Sequence, residues 1–213
     1  MKKYIAEFIG TFLLIFCGTG AIIVNQYSND SLGLLGIALT FGITVCTMIY
    51  VFGNISGTHI NPSVTIALAL GKLTSKKEAF FYILSQMFGA ISASFLLQIL
   101  FPKTSTLGNT IPVENLYQAF IMECLLTFLL MLTILAVNTK KELATNSGLI
   151  IGTVIIGIIL LAGPISGGSF NPARSIAPAI VSRNYSALWI YIIAPTLGAI
   201  MGMFSWKSLH KTT

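Results

Sequence analysis

The stretch GPISGGSFNPARSIA, residues 163–177, sets a helix-breaking turn and a full positive charge inside a chain otherwise suited to lipid. A second stretch, GNISGTHINPSVTIA at residues 53–67, matches it at eight of fifteen positions with an offset of 110. Proline suits the first helical position and asparagine suits the cap before it. NPSVTIALALG (61–71) and NPARSIAPAIV (171–181) therefore predict short helices opening at Pro62 and Pro172. A helix of about 11 residues is roughly 16 Å long, half a bilayer. The preceding ISGTHI and ISGGSF are expected to be non-helical backbone at membrane depth. Such backbone is tolerated only when buried in protein or facing a watery cavity.

The rest of the chain supplies the membrane. Of 213 residues, 55% are hydrophobic and 8% charged, against roughly 25% charged in soluble domains. Apolar runs long enough to span fall at about 4–24, 33–52, 79–101, 117–138, 147–163 and 186–206. Polar, turn-rich connections separate them at 25–31, 72–78, 102–114 and 139–146. MKKYIAEFIG begins like a secretory signal, but its apolar run continues to Val24 and reads as a retained first span. Lysine and arginine total 12 against 6 acidic residues, yet they lie between apolar segments and form no basic stripe with interleaved aromatics. Nucleic-acid binding is thereby excluded. Cys17, Cys46 and Cys124 sit within apolar runs as small hydrophobes, with neither metal spacing nor a disulfide framework.

The similarity between the two stretches extends outward. Glu7 and Thr11 of EFIGTFLL answer Glu123 and Thr127 of ECLLTFLL, and FGAI (88–91) answers LGAI (197–200). Each half, about 1–101 and 117–206, holds three spans and one Asn-Pro segment, with 102–116 as the link in a single domain covering 1–213. Three is odd, so the halves enter the membrane with opposite orientation: an inverted 3+3 repeat. The expected fold is all-α, six transmembrane helices plus two re-entrant half-helices. With both termini inside, Lys2, Lys3, Lys72, Lys76, Lys77, Lys140, Lys141, Lys207 and Lys211 are cytoplasmic, while Lys103, Arg174 and Arg183 are not. That asymmetry sets the orientation in the plasma (inner) membrane. Asn61 and Asn171 then meet near the midplane, where two positive helix ends repel cations and two amides offer donors to a passing oxygen.

These residues resemble the aquaporin and glycerol-facilitator family over essentially the whole chain. The match is carried by Asn61-Pro62-Ser63, Asn171-Pro172-Ala173-Arg174, and the paired Glu7 and Glu123. Ser63 departs from the alanine usual in the family; it falls inside the half-helix, so the pore geometry is expected to survive. The resemblance implies a four-residue selectivity filter at Phe41, Ile159, Gly168 and Arg174. Narrow water-selective members are similar at Phe41 but carry histidine where Ile159 stands. Glycerol facilitators follow the arginine with aspartate, where this chain has Ser175. Gly168 adds no side chain to the ring. The pattern is similar to nodulin-like and archaeal members, whose permeants are glycerol-sized neutral solutes and, in some, neutral metalloid acids.

The resemblance further implies that Glu7 and Glu123 hold the re-entrant loops through backbone N–H groups. It implies that Gly57, Thr58, His59, Gly167 and Ser169 line the pore, and that the chain is a homotetramer with one pore per subunit. The expected permeants are water and small uncharged solutes; channels mainly for metalloid acids, or strictly for water, are the alternatives. A secondary active transporter also uses inverted repeats and broken helices, but no intramembrane acid stands near the Asn-Pro segments in sequence. No nucleophile–base pair or metal-ligand set can be assembled, so catalysis, cofactors and metals are not expected. Gly53/Gly57, Gly148/Gly152 and Gly198/Gly202 repeat G-x-x-x-G and predict close helix packing within the bundle.

Overall fold

The computed structural model describes residues 1–210 and, at Lys141, the backbone alone. Lys211, assigned to the positive end of the chain, lies outside the described residues. Among the described residues there are nine helices and no strand. They are α1 (Lys2–Tyr27), α2 (Gly33–Ser56), α3 (Pro62–Leu70), α4 (Lys76–Leu100), α5 (Leu116–Thr139), α6 (Lys141–Ala144), α7 (Ser147–Ser166), α8 (Pro172–Ser182) and α9 (Leu188–Leu209). Helices α1, α2, α4, α5, α7 and α9 are long and apolar enough to cross a membrane.

Local chemistry starts several of them. Ser75 caps α4 by accepting from Glu78 N–H at 3.1 Å, and Asn115 caps α5 by accepting from Tyr117 N–H at 2.8 Å. The single turn α6 falls in a connection expected to be irregular. The largest departure lies at the ends of α2 and α7. Both run on to Ser56 and Ser166, so ISGTHI and ISGGSF are partly helical. Each stops at a left-handed glycine, Gly57 at φ 80° and Gly167 at φ 81°. Only glycine reaches that conformation without a Cβ penalty, which makes it the normal stop signal.

The long helices pack as α1 with α4, α5 with α9, and α2 with α7. Glycine brings them together. A Cβ at Gly89 of α4 would run into the Phe8 carbonyl of α1, and one at Gly198 of α9 into the Cys124 carbonyl of α5. Across the α2–α7 contact, a Cβ at Gly152 would lie 2.6 Å from the Gly42 carbonyl. Lipid tails are as apolar as leucine, so such van der Waals approach supplies the association energy. Large apolar side chains such as Phe88, Ile99 and Leu161 face outward.

The contacts also fix which ends coincide. At one end Lys3 pairs with Glu78, and Lys207 Nζ donates to the Gly71 carbonyl at 2.5 Å. At the other, Tyr27 packs on Phe101 at 5.4 Å, and Asn109 donates to Ser182 at 2.8 Å. Helices α3 and α8 therefore finish at opposite ends of the bundle, with their N-termini facing one another in the middle.

Candidate functional site

Asn61 accepts from Ser63 N–H at 2.9 Å and Asn171 from Ala173 N–H at 3.0 Å, so each side chain caps its own half-helix. Each amide also donates across the centre of the bundle. Asn61 Nδ2 reaches the Phe170 carbonyl and Asn171 Nδ2 the Ile60 carbonyl, both at 2.8 Å. One N–H of each asparagine thus locks the two loops together, and the other remains for the lumen.

Those carbonyls point inward because Ile60 and Phe170 hold φ of 39° and 56°. Positive φ is a genuine outlier for a β-branched residue. Two buried carboxylates hold the strained turns. Glu7 Oε1 accepts from Ser56 Oγ (2.7 Å) and His59 N–H (2.9 Å); Oε2 accepts from Ile60 N–H and Gln86 Nε2, both at 2.7 Å. Glu123 Oε1 accepts from Ser166 Oγ (2.7 Å) and Ser169 N–H (2.9 Å), and Oε2 from Phe170 N–H (2.7 Å). Tyr82 OH donates to the Ser56 carbonyl at 2.8 Å, and Tyr191 OH to the Ser166 carbonyl at 2.6 Å. The Tyr82/Tyr191 and Ser56/Ser166 pairs were not among the residues expected from sequence. Their offsets of 109 and 110 were a signal that could have found them.

A cavity of about 860 Å³ runs through this centre. Phe41, Ile159, Gly168 and Arg174 line it together with Asn61 and Asn171. Gly57, Thr58, His59 and Ser169 line it as well, but Gly167 does not. A Cβ at Gly167 would lie 3.3 Å from Thr110 Cα, so that glycine faces the 102–116 link instead. Pro62, Ser63, Pro172 and Ala173 are buried behind the wall. The hydroxyl of Ser63 turns away to Thr196 Oγ1 on α9, at 3.0 Å. His59 Nδ1 lies 3.2 Å from Thr65 Oγ1 and its ring packs edge-on to Tyr82 at 4.9 Å.

Between the filter residues and the lysine-rich end the wall is apolar, with Val45, Ile49, Leu130, Ile134, Ile151 and Ile155 prominent. Their i, i+4 spacing on α2, α5 and α7 is indistinguishable from lipid-facing leucine and isoleucine in sequence. Tyr50, Asn54, Asn138, Thr145 and Ser147 give the cavity a polar mouth.

Arg174 is 2% exposed. Its Nη1 donates to the Gly108 carbonyl at 2.6 Å, and its guanidinium carbon lies 5.4 Å from the Phe41 ring centre, within cation–π range. The link thus takes part in the site. Thr110 Oγ1 donates to Ser175 Oγ at 2.7 Å, and Ser175 Oγ is 2.6 Å from Ser169 Oγ. These hydroxyls pin the link against the second loop. A main-chain acceptor such as Gly108 leaves no mark in a sequence.

The geometry matches known proteins along the whole chain. A sequence model described as Major intrinsic protein matches residues 1–206. Aquaporin NIP1-1 of Zea mays is 37% identical over 214 residues, spanning all of this chain and 76% of that protein. Aquaporin NIP6-1 of Arabidopsis thaliana is 41% identical over 202 residues, covering 94% of this chain and 66% of the relative. Nodulin-26 of Glycine max is 36% identical, over all of this chain and 79% of its own length. In fold, the aquaglyceroporin from Plasmodium falciparum superposes with a TM-score of 0.90 at 24% identity, covering 98% of this chain and 96% of that one. Six spans enclosing two opposed Asn-Pro half-helices, with relatives matched from end to end, lead to one assignment: the chain belongs to the major intrinsic protein family.

Proposed function

We propose that this integral membrane protein is a passive channel for water and uncharged solutes up to glycerol size, and that it excludes protons and other ions. The observation that carries this reading is the makeup of the filter wall. Arg174 is the one permanently charged side chain on the cavity wall among the described residues, and beside it Ile159 is apolar and Gly168 has no side chain. A ring so built offers width and an apolar flank to a carbon backbone, with arginine donors for its hydroxyls. Arg174 and the facing N-termini of α3 and α8 set a positive barrier against cations. Transport by ion coupling is disfavoured because both oxygens of Glu7 and of Glu123 are already occupied by protein donors.

Four copies per assembly, each with its own pore, follow the family resemblance, and the lysine-rich end is taken as cytoplasmic by the positive-inside rule. The test is stopped-flow light scattering on proteoliposomes holding the full chain, stepped with sucrose, glycerol, urea and boric acid. Fast shrinkage in sucrose and fast re-swelling in glycerol, linear in the gradient, are the expected results. Shrinkage without recovery in glycerol leaves a strict water channel; saturable or ion-dependent flux makes it a transporter.

A further inference from the structure

We infer that Gly18, a residue of α1 that does not line the cavity, sets the width of the filter by seating the Phe41 ring. The inference rests on the wide-filter reading above. Leu14 of α1 lines the cavity, and one turn later the same face carries no side chain at the buried Gly18. The phenyl ring of Phe41 fills that notch: a Cβ built on Gly18 would overlap Cδ1, Cε1 and Cζ of the ring. The Arg174 guanidinium carbon lies over the same ring, 5.4 Å from its centre, and Phe41 itself lines the cavity. The ring thus touches both the notch on α1 and the charge that guards the lumen.

Neither backbone has room to retreat. Behind Phe41, a Cβ at Gly42 would be 2.5 Å from the Gly152 carbonyl, so α2 already rests on the main chain of α7. Around α1, a Cβ at Gly108 would be only 2.9 Å from Thr19 Cβ, and α4 rests on the α1 main chain where a Cβ at Gly89 would run into the Phe8 carbonyl. Close-packed surroundings do not yield a methyl group's volume without displacing something. The free volume beside the ring is the lumen, so any side chain at position 18 pushes Phe41 toward Arg174 and Ile159. Pore diameter then falls where solutes are sorted.

The experiment compares wild type, Gly18→Ala, the double variant Gly18→Ala/Phe41→Ala, and Gly157→Ala in proteoliposomes, reading water and glycerol permeability per reconstituted channel. Gly157 is the control because a Cβ there meets nothing within 4 Å. For Gly18→Ala, glycerol flux should fall about tenfold, the low end of what one methyl group discriminates in a fitted site, while water flux falls much less. The double variant should regain glycerol flux, since the displaced ring is gone. Wild-type behaviour of Gly18→Ala overturns the inference. So does an equal loss of both permeants that the double variant fails to recover, because that marks a general packing defect. If the wild type passes water alone, the wide-filter reading fails separately; Gly18 is then judged by whether water flux drops in Gly18→Ala and returns in the double variant.

Discussion

Ile60 and Phe170 carry the tension of the site at the residue scale. Each left-handed conformation costs of order 1–3 kcal/mol, and each persists because its N–H is held by a carboxylate and its carbonyl by an asparagine across the bundle. The two carboxylates are not equivalent. Gln86 donates to Glu7, and its own Oε1 has no protein partner. The second repeat carries Pro195 at the matching sequence position, and among the described residues the donors to Glu123 are Ser166, Ser169 and Phe170 alone. A glutamine at position 7 would present an NH₂ that a flipped Gln86 amide could accept. Either variant leaves one backbone N–H, that of Ile60 or of Phe170, without its carboxylate acceptor, but at position 123 no neighbouring amide can accept from the new NH₂ as well. We predict that Glu123→Gln lowers stability by about 2–4 kcal/mol, since a buried unsatisfied donor costs about 1–3 and a charge-assisted bond is lost besides. Glu7→Gln should cost less. Thermal unfolding midpoints in detergent decide it, and the reverse order would refute this account of Gln86.

Elements divide into those with a strong local signal and those without. The half-helices were legible because Asn-Pro supplies cap and first turn in two matched places. The ends of α2 and α7 were misjudged because Ile-Ser-Gly reads as loop, while the serine hydroxyl and the carboxylate it bonds let the helix run one turn further. Ser63 is a case of an element tied to its neighbour. Its hydroxyl joins α3 to Thr196 of α9, and Thr196 is independently satisfied by the Ile192 carbonyl at 2.6 Å. Ser63→Ala should therefore cost no more than about 1 kcal/mol, the net worth of one neutral hydrogen bond. In a thermal double-mutant cycle with Thr196→Val, a coupling of about 0.5–1 kcal/mol is expected. A coupling of zero would detach the serine from α9.

At the scale of the whole molecule, the charges sort by end. Lys2, Lys3, Lys72, Lys76, Lys77, Lys140 and Lys207 gather with Glu78 and Gly71 at one end, while Lys103 is exposed in the link that closes over the other. A membrane-impermeant amine reagent applied to intact cells should modify Lys103 and spare the lysine-rich end until the membrane is permeabilised. Labelling of Lys72, Lys76 or Lys77 from outside would invert the proposed orientation.

The amino-acid sequence by itself determined the six spans, the inverted repeat, the two half-helices and the asymmetry of charge. Each is read from composition, a local cap or the chain's likeness to itself, none of which requires knowing which distant residues touch. Only the tertiary structure decided how the lumen is made. Asn61 and Asn171 are joined through backbone carbonyls 109 and 111 residues away, Arg174 is aimed by Gly108 from 66 residues away, and Phe41 rests in a notch on α1. Main-chain acceptors and absent side chains have no sequence signature, and here they set the shape of the pore.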